Sequence, residues 1–487
     1  MTEQPTIDIE EEPVQSHSDS RHSARRRYGM PPWHLGRQVT LALVSFVLAA
    51  VVGYGLTDPS FNDSQQHTVF ILVFAIMLWL TEAVPPFAVG LLVMSFSAFA
   101  FGTSLLNSEP EDVAKYMNTW SSSVIFLILG GFFLADAMKK TGLDREIFKF
   151  NISLFGRMPR NVLLGLMLTT TVLSMVMSNT ATTAMMMAAV TPFLRSKECP
   201  TDFRKAVLIG IPAAATVGGM GTIIGSAPNA IAVGALEYAG VAVSFLDWML
   251  LGAPVAMVLS LGFWFALGKR YPWGSVPVEI DLEAAEDSSD HSTSNRRIVI
   301  GTMIVTMGLW LTSSLHSIPV ATVSAVPIAI LTVTGILGAR DMRGLPWDTL
   351  MLVAGGLTLG VAIVEHGVAE FYLGQLDIQG ASMVVLMLVF GYITVLLSNV
   401  MSNTATAAIL IPIAGVMLAD GSQMVTLMIA LSSSAALMLP VSTPPNAIAF
   451  STGMIEARDF RFGGALIGLI APILVVAWVW VLWTLLG

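Results

Sequence analysis

Apolar stretches close to the ~20 residues that cross a bilayer recur along almost the whole chain, separated by short polar connections. They fall at 39–56, 67–84, 87–103, 120–138, 205–238, 245–267, 298–315, 320–337, 347–364, 424–454 and 464–486. Lipid satisfies no backbone N–H or C=O, so spans of this kind must be helical. The pattern predicts an all-α polytopic membrane protein with eleven transmembrane helices. Two further segments, 161–194 and 380–419, hold no Asp, Glu, Lys or Arg, yet each carries a polar cluster at its centre. The cluster is Met177-Ser178-Asn179-Thr180-Ala181-Thr182 in the first and the identical Met401-Ser402-Asn403-Thr404-Ala405-Thr406 in the second. Polar groups at such depth must find partners or carry a desolvation cost of about 2–7 kcal/mol each.

Other markers repeat in the same order. Trp79-Leu80-Thr81 returns as Trp310-Leu311-Thr312, Gly130-Gly131 as Gly355-Gly356, and Pro228-Asn229-Ala230-Ile231-Ala232 as Pro445-Asn446-Ala447-Ile448-Ala449. Steady offsets in unchanged order indicate a duplicated unit. The first copy covers 67–270 and contains five spans plus the segment 161–194; the second covers 298–487 with the segment 381–419. A hydrophilic linker, 271–297, joins them, and a polar tail, 1–38, precedes the first span at 39–56. Five spans per copy is an odd number, so the copies must be inverted, as in secondary transporters.

Charge orients this plan. With the acidic-then-basic tail taken as disordered and cytoplasmic, every basic residue except Lys115 falls on the cytoplasmic side, which also places the C-terminus outside. Arg157 and Arg160 precede the first motif segment, and Arg195 and Lys197 follow it, so it enters and leaves on the cytoplasmic face. Only Asp377 and Asp420 flank the second segment, which places its ends outside. Both read as re-entrant hairpins with Ser-Asn-Thr at the tip. Spans 205–238 and 424–454 are broken by Gly218-Gly219-Met220-Gly221 with Gly225-Ser226-Ala227-Pro228, and by Pro440 with Ser442-Thr443-Pro444-Pro445. Gly and Pro lower the cost of unwinding a helix there. Two tips and two breaks converge near the midplane.

Such a cluster does its chemistry without ionisable groups. Carbonyls and side-chain oxygens replace a cation's water, and helix N-termini receive an anion. No Lys or Arg serves the tips, so a buried dianion needs cations to enter with it. Glu82, Asp136, Glu237 and Glu365 lie at span ends, and His67, His316 and Cys199 are expected at solvated positions. Only 12% of residues are charged, half the usual soluble fraction of about 25%. The single cysteine excludes intrachain disulfides. No nucleotide loop, metal-ligand spacing or nucleophile–base pair stands out, so neither an enzyme, an organic cofactor nor a nucleic-acid partner is expected.

The paired Ser-Asn-Thr motifs, each followed by a broken helix ending in Pro-Asn, resemble the divalent anion:sodium symporters over about 35–487. The resemblance implies Na⁺-coupled uptake of small dicarboxylates of the succinate, malate and fumarate type, with citrate or sulfate as other family substrates. It further implies a homodimer in the lipid of the inner membrane, working as an elevator. Carried over by position, one Na⁺ site resembles Ser174, Ser178, Asn179 and Gly225, and another Ser398, Asn403 and Ser442. Substrate carboxylates would meet Ser178, Asn179, Thr180, Ser402, Asn403, Thr404, Thr443 and Pro444. Ala227 departs from the pattern, standing where the second copy has Pro444. A Na⁺-independent exchanger of the same fold and an anion channel are the alternative readings.

Overall fold

The computed structural model describes residues 32–272, 277, 292–375, 382–417 and 422–486, and among these there are helices and no strands. Helix α1 (Pro32–Ala50) ends in a π-helical turn, Val51–Gly55, and begins inside the stretch expected to be tail. The first repeat then runs α2 (Asp63–Thr81), α3 (Pro86–Gly102), α4 (Ser123–Lys140), α5 (Leu143–Phe155), the pair α6 (Pro159–Ser174) and α7 (Asn179–Arg195), the divided helix α8 (Thr201–Gly218) and α9 (Ala227–Tyr238), and α10 (Phe245–Arg270). The second follows the same order: α11 (Thr293–Leu311), α12 (Ala325–Val333), α13 (Trp347–Glu365), α14 (Val368–Gly374), the pair α15 (Met383–Ser398) and α16 (Asn403–Met417), the divided helix α17 (Ser422–Ser433) and α18 (Pro444–Ser451), and α19 (Ala457–Leu486). The tail before Pro32, most of the linker, Asp377 and Asp420 lie outside the described residues.

Each repeated marker performs one job twice. The indole Nε1 of Trp79 donates to the Pro86 carbonyl at 3.2 Å, and that of Trp310 to the Val320 carbonyl at 3.3 Å. Both rings are buried, where an unpartnered indole N–H would be costly, so each bond fixes the turn into the next helix of its repeat. The glycine pairs fix the contact between repeats. A Cβ on Gly355 of α13 would stand 2.2 Å from the Gly90 Cα of α3, and one on Gly130 of α4 2.8 Å from the Ser324 Cβ just before α12. The second glycine of each pair faces its own repeat: Gly131 meets Ile224, and Gly356 meets Ala408. Absent side chains let these backbones touch, as at close helix crossings in membranes. α4 is therefore wedged between the other repeat and the break of its own, and α13 between the other repeat and α16 of its own.

Six described helices are long and apolar enough to cross a membrane: Gly36–Gly55, Asp63–Thr81, Ala114–Lys140, Phe245–Arg270, Trp347–Glu365 and Ala457–Leu482. The shorter apolar helices are Pro86–Gly102, Val320–Val333, Met383–Ser398, Asn403–Gly415 and Gln423–Ser433. Of the last three, two flank the second tip and the third ends at the second break. The stretch after α4 is the helix α5, which buries Leu143 and exposes Phe150 and Leu154.

Two expected solvated positions are corrected. His67 is buried, its Nδ1 accepting from the Tyr54 hydroxyl and its Nε2 donating to the Leu106 carbonyl, both at 2.7 Å. Cys199 is buried as well, because the connection before α8 folds back onto the helices. Polar and loop positions thus pack inward where a neighbouring carbonyl or helix receives them.

The Gly90–Gly355 crossing gives a test. Gly355→Leu lowers the melting temperature in detergent by the equivalent of about 1–3 kcal/mol or more, the usual range for overpacking. Gly301→Ala, whose added Cβ meets nothing within 4 Å, leaves it unchanged.

Candidate binding site at the hairpin tips and helix breaks

Four residues, Met175 to Ser178, turn α6 into α7. The Ser178 Oγ accepts from the Ala181 N–H at 3.2 Å and caps α7. Asn179, the first helical residue, reaches into the break between α8 and α9. In the amide orientation that satisfies its surroundings, Nδ2 faces Ser174 Oγ at 2.7 Å, the Ala215 carbonyl at 3.1 Å and the Gly225 carbonyl at 3.3 Å. The break consists of two short 3-10 turns, Gly219–Gly221 and Ile223–Gly225. A Cβ on Gly219 would stand 2.6 Å from the Asn179 side-chain amide, so only glycine lets this tip close on this backbone. Asn229 holds the break open as a fixed shape, its Nδ2 donating to the Gly219 and Thr222 carbonyls, both at 2.8 Å. Thr222 joins break to tip: its hydroxyl donates to the Met175 carbonyl and accepts from the Gly225 N–H.

The second repeat reaches the same arrangement with other groups. Ser402 caps α16, accepting from the Ala405 N–H at 3.2 Å. Asn446 Nδ2 donates to the Leu437 carbonyl at 3.2 Å and the Leu439 carbonyl at 3.0 Å, as Asn229 does in the first break. Thr443 caps α18 by accepting from the Asn446 N–H at 3.3 Å, and the Ser442 hydroxyl donates to the Leu439 carbonyl at 2.8 Å. The tip-to-break joint runs from the Met438 N–H to Asn399 Oδ1 at 2.9 Å. Asn399 occupies the position of Met175 at the offset of the two motifs, so one joint is built from a carbonyl in one repeat and a side-chain amide in the other. Ala227 changes little: α9 and α18 both begin with a proline in their first turn, Pro228 and Pro445.

The two half-sites form one cluster, because α9 packs on α16 and α17 while α18 packs on α7 and α8. Four helices, α7, α9, α16 and α18, begin there and present N-termini whose dipoles favour negative charge. Around them, Ser398 Oγ, Asn403 Oδ1, Asn229 Oδ1, Thr182 Oγ1 and Thr406 Oγ1 are buried without a hydrogen-bond partner among the described residues. Each such atom costs about 1–3 kcal/mol unless something binds it. Among the described residues no group of His, Cys, Asp and Glu could hold a metal ion. The donors at the tips are hydroxyl, amide and carbonyl oxygens, a set suited to a hard cation.

Of the residues expected at the site, Ser174, Asn179 and Gly225 are in direct contact. Ser442 and Thr443 line the second break, and Ser398 Oγ and Asn403 Oδ1 are buried without a partner among the described residues at the second tip. Ser178 and Ser402 act as helix caps, with Thr180, Thr404 and Pro444 in the first turns of their helices. Asn229, Asn446, Thr222 and Asn399 were not among the expected site residues, yet they shape the breaks. The repeated Pro-Asn pair carried the signal for two of them.

At the end of the molecule bearing Lys115, a second polar cluster locks the framework. The Glu111 carboxylate accepts from the Ser64 hydroxyl at 2.7 Å and the Tyr116 hydroxyl at 2.9 Å, and pairs with Lys115 at 3.1 Å and His366 Nε2 at 2.9 Å. Burial opposes its charge, but these hydrogen bonds and the His366 and Lys115 charges outweigh it and hold the carboxyl at about 2. Burial pushes the His366 imidazole down.

The fold and site together define a multi-pass helical membrane protein of the transporter class. Two solved transporters share the fold. One is Neisseria gonorrhoeae MtrF, described as illuminating a class of antimetabolite efflux pumps, with TM-score 0.53, 13% identity, and coverage of 94% of this chain and 96% of that one. The other is Alcanivorax borkumensis YdaH, with TM-score 0.51, 12% identity, and coverage of 81% and 96%. The family follows from the sequence: residues 37–487 match the model described as the sodium:sulfate symporter transmembrane region, and the chain belongs to this family of divalent anion:sodium symporters. It is 31% identical over 483 residues to the sodium-dependent dicarboxylate transporter SdcS of Staphylococcus saprophyticus, covering 91% of each chain. SdcS of Staphylococcus aureus strain USA300 is 30% identical over 458 residues, covering 85% of this chain and 86% of the relative.

Two outcomes test the geometry. Asn229→Ala and Asn446→Ala each strand buried carbonyls and lower thermal stability by about 1–3 kcal/mol per lost bond, read from melting in detergent. Because the Glu111 pKa is depressed on folding, its stabilisation is complete above about 4.5 and is lost as pH falls towards about 2. Glu111→Gln should therefore be less stable than the parent at pH 7, with the gap closing below pH 4.

Proposed function

We propose that the protein couples the uptake of a small dicarboxylate of the succinate, malate or fumarate type to the entry of Na⁺ across the cell membrane. The N-terminus is cytoplasmic and the C-terminus external. Eleven helices span the bilayer, and the α6–α7 and α15–α16 pairs are re-entrant hairpins entering from opposite faces. The observation that carries this reading is the cluster itself: oxygens on Ser398 and Asn403 that are buried without a partner among the described residues, and an oxygen-lined first tip, with four helix N-termini and no Lys or Arg in either motif segment. Its support from relatives is that both SdcS proteins are named sodium-dependent dicarboxylate transporters.

Na⁺ is cargo here, and at least two ions are needed to neutralise a dianion. Ser174, Ser178, Asn179 and Gly225 hold one ion, and Ser398, Asn403 and Ser442 hold the other. The carboxylates of the substrate lie between Ser178, Asn179 and Thr180 on one side and Ser402, Asn403, Thr404, Thr443 and Pro444 on the other. A dianion entering alone would meet a large desolvation cost with no fixed cation to offset it. Entering with Na⁺, it crosses as a neutral or positive unit, and each net positive charge moved inward gains about 2.3 kcal/mol per 100 mV. The hairpins, broken helices and the spans after them move as a transport body against the rest of each subunit of a homodimer.

In proteoliposomes, succinate uptake should require a Na⁺ gradient and vanish when choline replaces Na⁺. Asn179→Ala and Asn403→Ala should each reduce Na⁺-dependent uptake at least a hundredfold while leaving the oligomer intact by size-exclusion chromatography. Parent-like uptake in either variant removes that residue from the site.

A further inference from the structure

A cavity of about 550 Å³ lies apart from the tips, between α9 and α16 on one side and α13 and the 115–123 segment on the other. None of Ser178, Asn179, Ser402 or Asn403 lines it. Its walls are apolar, formed by Ile231, Leu357, Val361, Ile411 and Pro412, and its volume is that of a pocket for a drug-sized molecule. Its polar groups are unevenly charged. Lys115 is the one basic side chain on the described lining, and it already pairs with Glu111 at 3.1 Å and Glu365 at 2.9 Å. Glu365 also accepts from Tyr238, a lining residue, at 2.6 Å. Two further lining carboxylates, Glu237 and Glu370, have no basic partner among the described residues; Glu237 takes only a hydroxyl, from Ser123.

We propose that this cavity is a binding site for an amphiphilic organic cation, with an aromatic or aliphatic body against the apolar walls and a protonated amine at Glu237 and Glu370. Both carboxylates are exposed at the mouth of the cavity, and a dianion such as the transported substrate would be repelled by them. A neutral apolar molecule of the same shape gains the wall contacts but leaves the charge unanswered. An occupant would touch α9 and α16 and also α13, so it would bridge elements that the transport reading sets in relative motion. The binding claim itself does not depend on that reading.

The test uses the purified full chain in detergent and three probes: propranolol, a naphthyl ether with a protonated secondary amine; its diol analogue, in which a hydroxyl replaces the amine; and succinate. Equilibrium binding of labelled propranolol should saturate at one molecule per chain. The diol should bind at least tenfold more weakly, and excess succinate should not displace propranolol. Glu237→Gln combined with Glu370→Gln should weaken propranolol at least tenfold while leaving the affinity of the diol unchanged. Equal affinities for amine and diol, an unaffected double variant, displacement by succinate, or non-saturable partitioning alone would each overturn the proposal. Displacement of a co-purified lipid chain by amine and diol alike would overturn it too, assigning the cavity to lipid.

Discussion

Unwound backbone deep in a membrane protein has no water to bond, and the structure answers this with two asparagine side chains. Asn229 and Asn446 each hold two carbonyls that helix geometry would otherwise have satisfied. Everything at the site depends on that substitution. It allows α8 and α17 to stop and α9 and α18 to start anew at the same depth, which creates two extra helix N-termini. The hairpin tips then close on the breaks through the Thr222–Met175 and Met438–Asn399 joints. A polar site is assembled from two motif segments that hold no charged residue.

The two repeats solve the same problem with different residues, which separates what the geometry demands from what it tolerates. Demanded are an amide gripping the break, a proline in the first turn of the second half-helix, and a capping hydroxyl at the tip. Tolerated are a carbonyl or an amide at the joint, and Ala227 or Pro444 at the start of the half-helix. The glycine crossings, Gly90 with Gly355 and Gly130 with Ser324, press each repeat against the other. α9 packs on α16 and α18 on α7, so each half-site borders its counterpart.

Much of this plan was legible in the chain because its signals are local and doubled. The Ser-Asn-Thr copies, the glycine pairs and the Pro-Asn pairs each mark a place where backbone or polar groups need special treatment, and repetition lifts them above chance. The tryptophan markers were equally visible, but their task, bonding across a turn to Pro86 and Val320, depends on tertiary placement. Burial of His67 was not legible for the same reason: its partners Tyr54 and Leu106 come from other segments. α5 is hidden in the sequence because its charged residues mask an amphipathic helix, and Asn399 because its role belongs to one repeat alone.

In the proposed transport, oxygen-lined tips carry cations whose charge makes a dianion transportable. The most direct test of this coupling is the ratio of labelled Na⁺ to labelled succinate entering proteoliposomes held at a fixed membrane potential. At least two Na⁺ per succinate should enter, with both fluxes lost together in Asn403→Ala. Succinate entry with no accompanying Na⁺ flux would contradict it.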